Sequence, residues 1–249
     1  MCDFKECMMA DTSISMLFYL GIFVAMILAM WAQFRVKGNF QKYSRVRSSS
    51  GLTGAQAAAK MLRAQGVTNV AIERSPGGEL SDHYDPRSNT IRLSAGVYDS
   101  TSVAALGIAC HEAGHAMQKA RNYAPLVIRN AAVPAAAFLP NVGMVMMMIG
   151  FIMGAFVGTG IGWYLAILGL GLFSFSAILQ VINLPVEFDA TARAKHALVQ
   201  TGMIRPDEKY AVDKVLNAAA LTYVAATLGA IMTVLYYASL LLGNRRHQD

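Results

Sequence analysis

Charge is scarce in this chain. Only 14% of its 249 residues are Asp, Glu, Lys or Arg, while 55% are hydrophobic. Soluble domains carry roughly 25% charged residues, so the balance is that of a membrane protein. Cysteine is scarcer still. Cys2, Cys7 and Cys110 are three with no pairing pattern, which excludes a disulfide framework and a cysteine-rich metal site. Cys110 stands beside His111, but a cysteine in an apolar helix is expected to pack rather than to act as a nucleophile. No basic stripe is interleaved with aromatics, so the net charge of +6 does not point to nucleic acid. The first apolar run is not expected to be a cleaved signal peptide. The first apolar run exceeds the h-region length of about 7–15 residues, and no small-x-small site follows it before Arg35, so it reads as an uncleaved anchor.

What the chain has instead is three long stretches without charge. Residues 12–34 give 23 uncharged positions, residues 130–186 give 57, and residues 215–244 give 30. A helix needs about 20 apolar residues to cross the hydrocarbon core. The middle stretch is long enough for two crossings, broken at the glycine-dense Gly158-Thr159-Gly160-Ile161-Gly162. Four transmembrane helices are therefore expected, near residues 14–34, 140–157, 162–182 and 219–242. The methionines at 144, 146, 147, 148 and 153 then serve packing or face lipid.

Lys and Arg set the orientation. Residues 35–129 carry 13 basic and 6 acidic side chains, whereas residues 1–13 carry 1 and 3. The positive-inside rule puts the 35–129 region in the cytoplasm of a multi-pass cell-membrane protein. Arg35, Lys37, Lys42, Arg45 and Arg47 are the strongest part of that signal and also suit anionic lipid heads. Arg245 and Arg246 run weakly against it.

The region 35–138 reads as a small α+β unit. Ser48-Ser49-Ser50-Gly51 is a linker. Thr53 and Gln56 fit a capping box for a helix that runs to about Gln65, with Gly66 just past its end. Three strands follow, at Asn69–Arg74, Leu80–Tyr84 and Thr90–Leu93, punctuated by Pro76-Gly77-Gly78 and Asp85-Pro86 and expected as an antiparallel meander. A second helix starts at Ser100-Thr101-Ser102 and runs to about Lys119. Its apolar stretch, Val103–Cys110, is too short to span a bilayer and reads as a buried core helix.

That helix carries His111-Glu112-Ala113-Gly114-His115. Positions four apart on a helix lie about 40° apart around its axis, so both imidazoles point the same way and can bind one Zn²⁺. Glu112 borders that face and can take a proton from a zinc-activated water. Gly114 lets another segment come close. The surroundings raise the value of the motif, since polar side chains in so apolar a helix are costly unless paired.

A catalytic zinc needs a third protein ligand, and Asn183-Leu-Pro-Val-Glu187-Phe-Asp189 offers one. Pro185 is expected to end the third span near Ile182, with a new helix starting at Asn183. Two crossings separate His115 from Glu187, so both emerge on one side; a single crossing would put them on opposite sides. Glu187 is the preferred ligand. Asp189 is the competitor, or else supports a histidine N–H, and it can also pair with Arg193. His83 is a cleft candidate or a structural strand residue. His196 and His247 carry no supporting context.

With these residues in hand the chain resembles the YugP-type membrane zinc metallopeptidases of bacteria. The resemblance runs from about residue 15 to 240. It rests on Leu52-Thr53-Gly54, Asp82-His83-Tyr84-Asp85-Pro86, Ile91-Arg92-Leu93-Ser94, Ala105-Leu106-Gly107, the H-E-A-G-H motif with Ala116, Tyr123-Ala124-Pro125-Leu126, and Asn183 through Ala190. The family usually has Ser after the Asp-Ala pair, where this chain has Thr191. The resemblance implies a zinc-dependent peptidase of the cytoplasmic membrane and brings no substrate with it.

The expectation is thus a mainly α membrane protein. It has a transmembrane helix at 14–34, a zincin-like cytoplasmic region at 35–138, a transmembrane hairpin at 139–182, a cytoplasmic segment with the third ligand at 183–217, and a last span at 218–243. Its substrates are expected to be proteins or peptides, membrane proteins first among them. Cleavage within a transmembrane segment is the rival enzyme reading, and a zinc-bearing scaffold or adaptor the non-enzymatic one.

Overall fold

A computed structural model describes residues 4–157 and 160–245. Cys2, Gly158, Thr159, Arg246 and His247 lie outside the described residues, as does the side chain of Cys7. In chain order the elements are α1 (Phe4–Tyr43), α2 (Gly54–Ala64), β1 (Ala71–Arg74), β2 (His83–Asp85), β3 (Thr90–Leu93), α3 (Ala95–Tyr98), α4 (Val103–Ala120), α5 (Ala124–Ala136), α6 (Leu139–Val157), α7 (Gly160–Gln200) and α8 (Pro206–Arg245). The chain is mainly helical, with one small three-stranded sheet.

Two compact units share it. One comprises Met1–Met30, Ala131–Ile182 and Val224–Asp249; the other comprises Trp31–Asn130 and Asn183–Tyr223.

The first unit is built from long apolar helices. Met16, Leu17, Tyr19, Ile152, Ile161, Tyr164 and Leu168 are exposed on them, an arrangement unfavourable in water and suited to lipid. Glycines let α6 and α7 meet backbone to backbone. A Cβ on Gly150 would stand 2.5 Å from the Ala166 nitrogen, and one on Gly169 would stand 2.5 Å from the Met147 nitrogen. Small residues at such contacts are how apolar helices associate where no hydrophobic drive exists. By length and composition, three helical stretches can cross a membrane: Met16–Tyr43, Gly160–Gln200 and Lys209–Gly243. A fourth follows if Ala124–Ala136 and Leu139–Gly154, bent by 46° at their junction, count as one span. Pro140 lies beside that junction and has no N–H to continue the helix through it.

The second unit has its own core. The Thr53 side chain accepts from the Gln56 amide and the Gln56 side chain accepts from the Thr53 amide, closing the capping box at α2. Gly66 follows with φ 73°. The buried face of α2 (Ala57, Ala58, Met61, Leu62) packs on α4, whose start is capped by Ser102 accepting from Ala105 N. The segment read as a linker is tied down. Ser48 is buried, and the Glu208 carboxylate accepts from Ser49 N at 2.6 Å and Ser49 Oγ at 2.7 Å.

Two expectations need correction. The sheet is not an antiparallel meander: its order is β1-β3-β2, with β1 parallel and β2 antiparallel to β3. The pattern of burial gives the reason. β3 is the most buried strand, with Ile91 and Leu93 fully enclosed, so it takes the centre and leaves the two exposed strands as edges. Nor does a helix end at Ile182. α7 continues through Pro185 to Gln200. A proline inside a helix costs about 3 kcal/mol. Burial of Val186, Ala190, Ala194, Ala197 and Leu198 along one face of α7 offsets it, at roughly 0.8 kcal/mol per buried CH₂.

Candidate metal centre

The site lies within the second unit, between α4 and the Asn183–Gln200 part of α7. Small residues bring the two helices together. A Cβ on Gly114 would stand 2.7 Å from the Ala190 carbonyl oxygen and 3.1 Å from its Cα, so only glycine at 114 allows this approach. One turn before Ala190, Glu187 is carried over the face of α4 that holds the motif histidines.

His111 Nε2 lies 3.2 Å from Glu187 Oε2, and His115 Nε2 lies 3.6 Å from the same oxygen. The imidazole centroids are 4.8 Å apart and nearly perpendicular. One ligand atom from each of His111, His115 and Glu187 falls within 4.8 Å of the others. Two imidazole nitrogens and a carboxylate oxygen converge, with His115 and Glu187 buried and His111 half-buried, and they form the donor set of a three-ligand zinc site with a position left open. The residues fit the metal.

The outward nitrogens are held as well. Thr191 Oγ1 is 3.2 Å from His111 Nδ1, and Gln118 Oε1 is 3.0 Å from His115 Nδ1. Gln118, wholly buried, donates from Nε2 to the Val186 carbonyl at 2.8 Å and to Asp189 Oδ2 at 2.7 Å. Arg193 Nε donates to the same carboxylate oxygen at 2.6 Å. Such contacts fix which nitrogen faces a metal. They also relocate Asp189. It was expected to compete for the metal or to hold a histidine N–H, and it does neither directly: it stands one link further out, behind Gln118. Gln118 and Thr191 are the residues that sequence reasoning missed in this role. The signal for position 118 was its spacing: Gln118 stands three places after His115 and seven after His111, on the helix face that carries both imidazoles.

Glu112 is buried on α4, close enough for its charge to act on His115. Burial opposes a charge on His115, but its hydrogen bond to the Glu187 carboxylate and the charges of Glu112 and Glu187 overcome it, so its pKa lies above the usual histidine value. His83 is exposed on β2, with Nδ1 donating to the Ser81 carbonyl at 2.8 Å, and is not among the three converging donors. Its neighbour Asp82 is half-buried and accepts from Ser94 N at 2.7 Å and Ser94 Oγ at 3.0 Å. Burial lifts the Asp82 carboxyl above the usual range against those bonds, and the charge of Glu112 adds to the rise. Cys110 is wholly buried, which holds its thiol protonated, as packing requires. His196 is exposed on α7.

Comparison with known proteins agrees with this chemistry. A family described as "Putative neutral zinc metallopeptidase" matches residues 18–242. Over 232 residues the chain is 42% identical to a protein of Bacillus subtilis (strain 168) named "Putative membrane protease YugP", a match covering 92% of this chain and 99% of that protein. No solved structure matches.

Proposed function

The chain belongs to that zinc metallopeptidase family, and we propose that it is a membrane-anchored zinc endopeptidase whose centre is formed by His111, His115, Glu187 and Glu112. One observation carries this reading: the Glu187 carboxylate meets both motif imidazoles, with Glu112 buried beside them. Zinc supplies a Lewis acid that makes water acidic near neutral pH and polarises a carbonyl.

The residues of the chain do the rest. His111, His115 and Glu187 hold the ion. Thr191 and Gln118 keep the two imidazoles turned so that Nε2 faces it. Glu112 takes the proton from the attacking water and passes it to the leaving nitrogen, a role worth about 10²–10⁴-fold in rate. The excess of Lys and Arg in residues 35–129 supports a cytoplasm-facing centre. The apolar helices support substrates that are membrane proteins or their juxtamembrane segments.

The test uses the full chain in detergent with zinc. Glu112→Gln is expected to keep its zinc and lose peptide cleavage by at least about 10²-fold. Cleavage retained by zinc-loaded Glu112→Gln overturns the mechanism. Trapping with the same variant in membranes identifies the substrate: full-length membrane proteins retained by it support the reading, and soluble peptides alone contradict the substrate class.

A further inference from the structure

Tyr223 on α8 has no place in the scheme above, yet it reaches the same centre. Its hydroxyl is hydrogen-bonded to the Glu187 carboxylate and lies within the fields of Glu112 and Arg129. Helix register leads to the same location. Val212 and Leu216 of α8 pack where Gly107 leaves room on α4, 3.5 Å and 3.8 Å from the position a Cβ there would take. Antiparallel pairing along α7 sets the level: Lys195 Nζ donates to Asn217 Oδ1 at 2.6 Å and Thr227 Oγ1 donates to the Gln180 carbonyl at 3.2 Å, so Tyr223, between 217 and 227 on α8, stands level with Glu187, between 180 and 195 on α7. The phenol is half-buried rather than enclosed, so a substrate can reach it. Arg129 forms no ion pair among the described residues, and its charge is felt at the Tyr223 hydroxyl.

We propose that Tyr223 is a catalytic residue of the peptidase, its hydroxyl turning from Glu187 to the substrate carbonyl oxygen as that oxygen gains charge. When the water oxygen bonds to the scissile carbon, the carbon–oxygen π pair moves onto the carbonyl oxygen. Tyr223 donates a hydrogen bond there and keeps its own proton. The proton lost by the water goes to Glu112 and then to the amide nitrogen as the C–N bond breaks, giving a carboxylate and an amine. A donor aimed at developing charge in a part-dry site acts on the transition state more than on the bound substrate. The unpaired guanidinium of Arg129 favours negative charge at that place.

The inference rests on the peptidase reading, and the experiment separates the two. Full-length wild type and Tyr223→Phe are compared in the same detergent for zinc content, kcat and KM on one peptide, and the affinity of a phosphinic peptide, a tetrahedral mimic of the reacting carbon. Tyr223→Phe is expected to keep full zinc and a KM within about threefold, while kcat falls about 10²–10³-fold. Phosphinic-peptide affinity is expected to fall in proportion. A kcat within threefold of wild type, or phosphinic-peptide binding that does not weaken, overturns the inference. So does loss of zinc from the variant, which would make Tyr223 a positioning residue for Glu187. A wild-type chain that neither cleaves the peptide nor binds the mimic overturns the peptidase reading along with it.

Discussion

Glu187 Oε2 stands 3.2 Å from His111 Nε2, although 76 positions of chain separate the two residues. Neither helix supplies this contact alone. It exists because Gly114 admits the Ala190 backbone against α4, and most of what can be tested follows from that approach.

Zinc content distinguishes the two acidic residues of α7. Glu187→Ala removes the carboxylate that faces both imidazoles and is expected to abolish stoichiometric zinc. Asp189→Ala leaves the three donors in place and is expected to keep one zinc, with affinity weakened about tenfold through the loosened Gln118. Full occupancy in Glu187→Ala would remove it from the ligand set.

Gln118 should matter more than its distance from the metal suggests. Gln118→Leu leaves the buried His115 Nδ1 without its partner, at about 1–3 kcal/mol. Zinc affinity is expected to fall about 10–100-fold, measured by competition with a chelator of known strength. Unchanged affinity would mean that packing alone orients His115.

Position 191 offers a paired test. Thr191→Ser keeps a hydroxyl for His111 Nδ1 and should bind zinc as the wild type does. Thr191→Val keeps the shape and loses the oxygen, so its affinity should drop about tenfold or more. Equal zinc affinity in Ser and Val variants would show the contact to be incidental.

Two glycines on α4 should respond differently to one added methyl. At Gly114 the methyl meets the Ala190 backbone at 2.7 Å, whereas at Gly107 it meets Val212 and Leu216 side chains at ordinary contact distances of 3.5–3.9 Å. Gly114→Ala is expected to cost about 1–3 kcal/mol and to lower zinc affinity by moving Glu187. Gly107→Ala should be neutral or mildly stabilising, since alanine is the better helix former. Thermal unfolding of both variants in one detergent checks the contrast.

The pH dependence has a definite sign. Carboxylates raise the pKa of metal-free His115, and zinc requires the neutral imidazole. Apparent zinc affinity should therefore weaken as pH falls through that raised value, by up to about tenfold per unit for one competing proton. For the metal-free protein the sign is opposite. A folded pKa above the unfolded one contributes stability that is fully present below about pH 6.5 and lost as pH rises through the folded value. Zinc titrations and metal-free unfolding across pH 5.5–8 check both; affinity that stays flat down to the lowest pH contradicts the assignment.

Several features were legible in the residue string because their causes are local. The pairing of His111 with His115 follows from helix period alone. The Thr53–Gln56 capping box, the Ser102 cap and the long uncharged runs need no knowledge of distant contacts. Glu187 was also legible as a candidate, an acidic residue directly after the middle uncharged run. Tertiary packing decided the rest. Sheet order depended on which strand was buried deepest, and the continuity of α7 through Pro185 on a buried face that outweighs one missing hydrogen bond. The separate duties of Glu187 and Asp189 depended on a rotation of two residues along α7, about 200°, which turns one carboxylate toward the histidines and the other toward Gln118 and Arg193. Gln118, Thr191 and Tyr223 came to the site only through helix packing. A sequence fixes the period of each helix, but which faces meet is settled by the fit of small residues, such as Gly114 against Ala190, and that fit exists only once the helices are assembled.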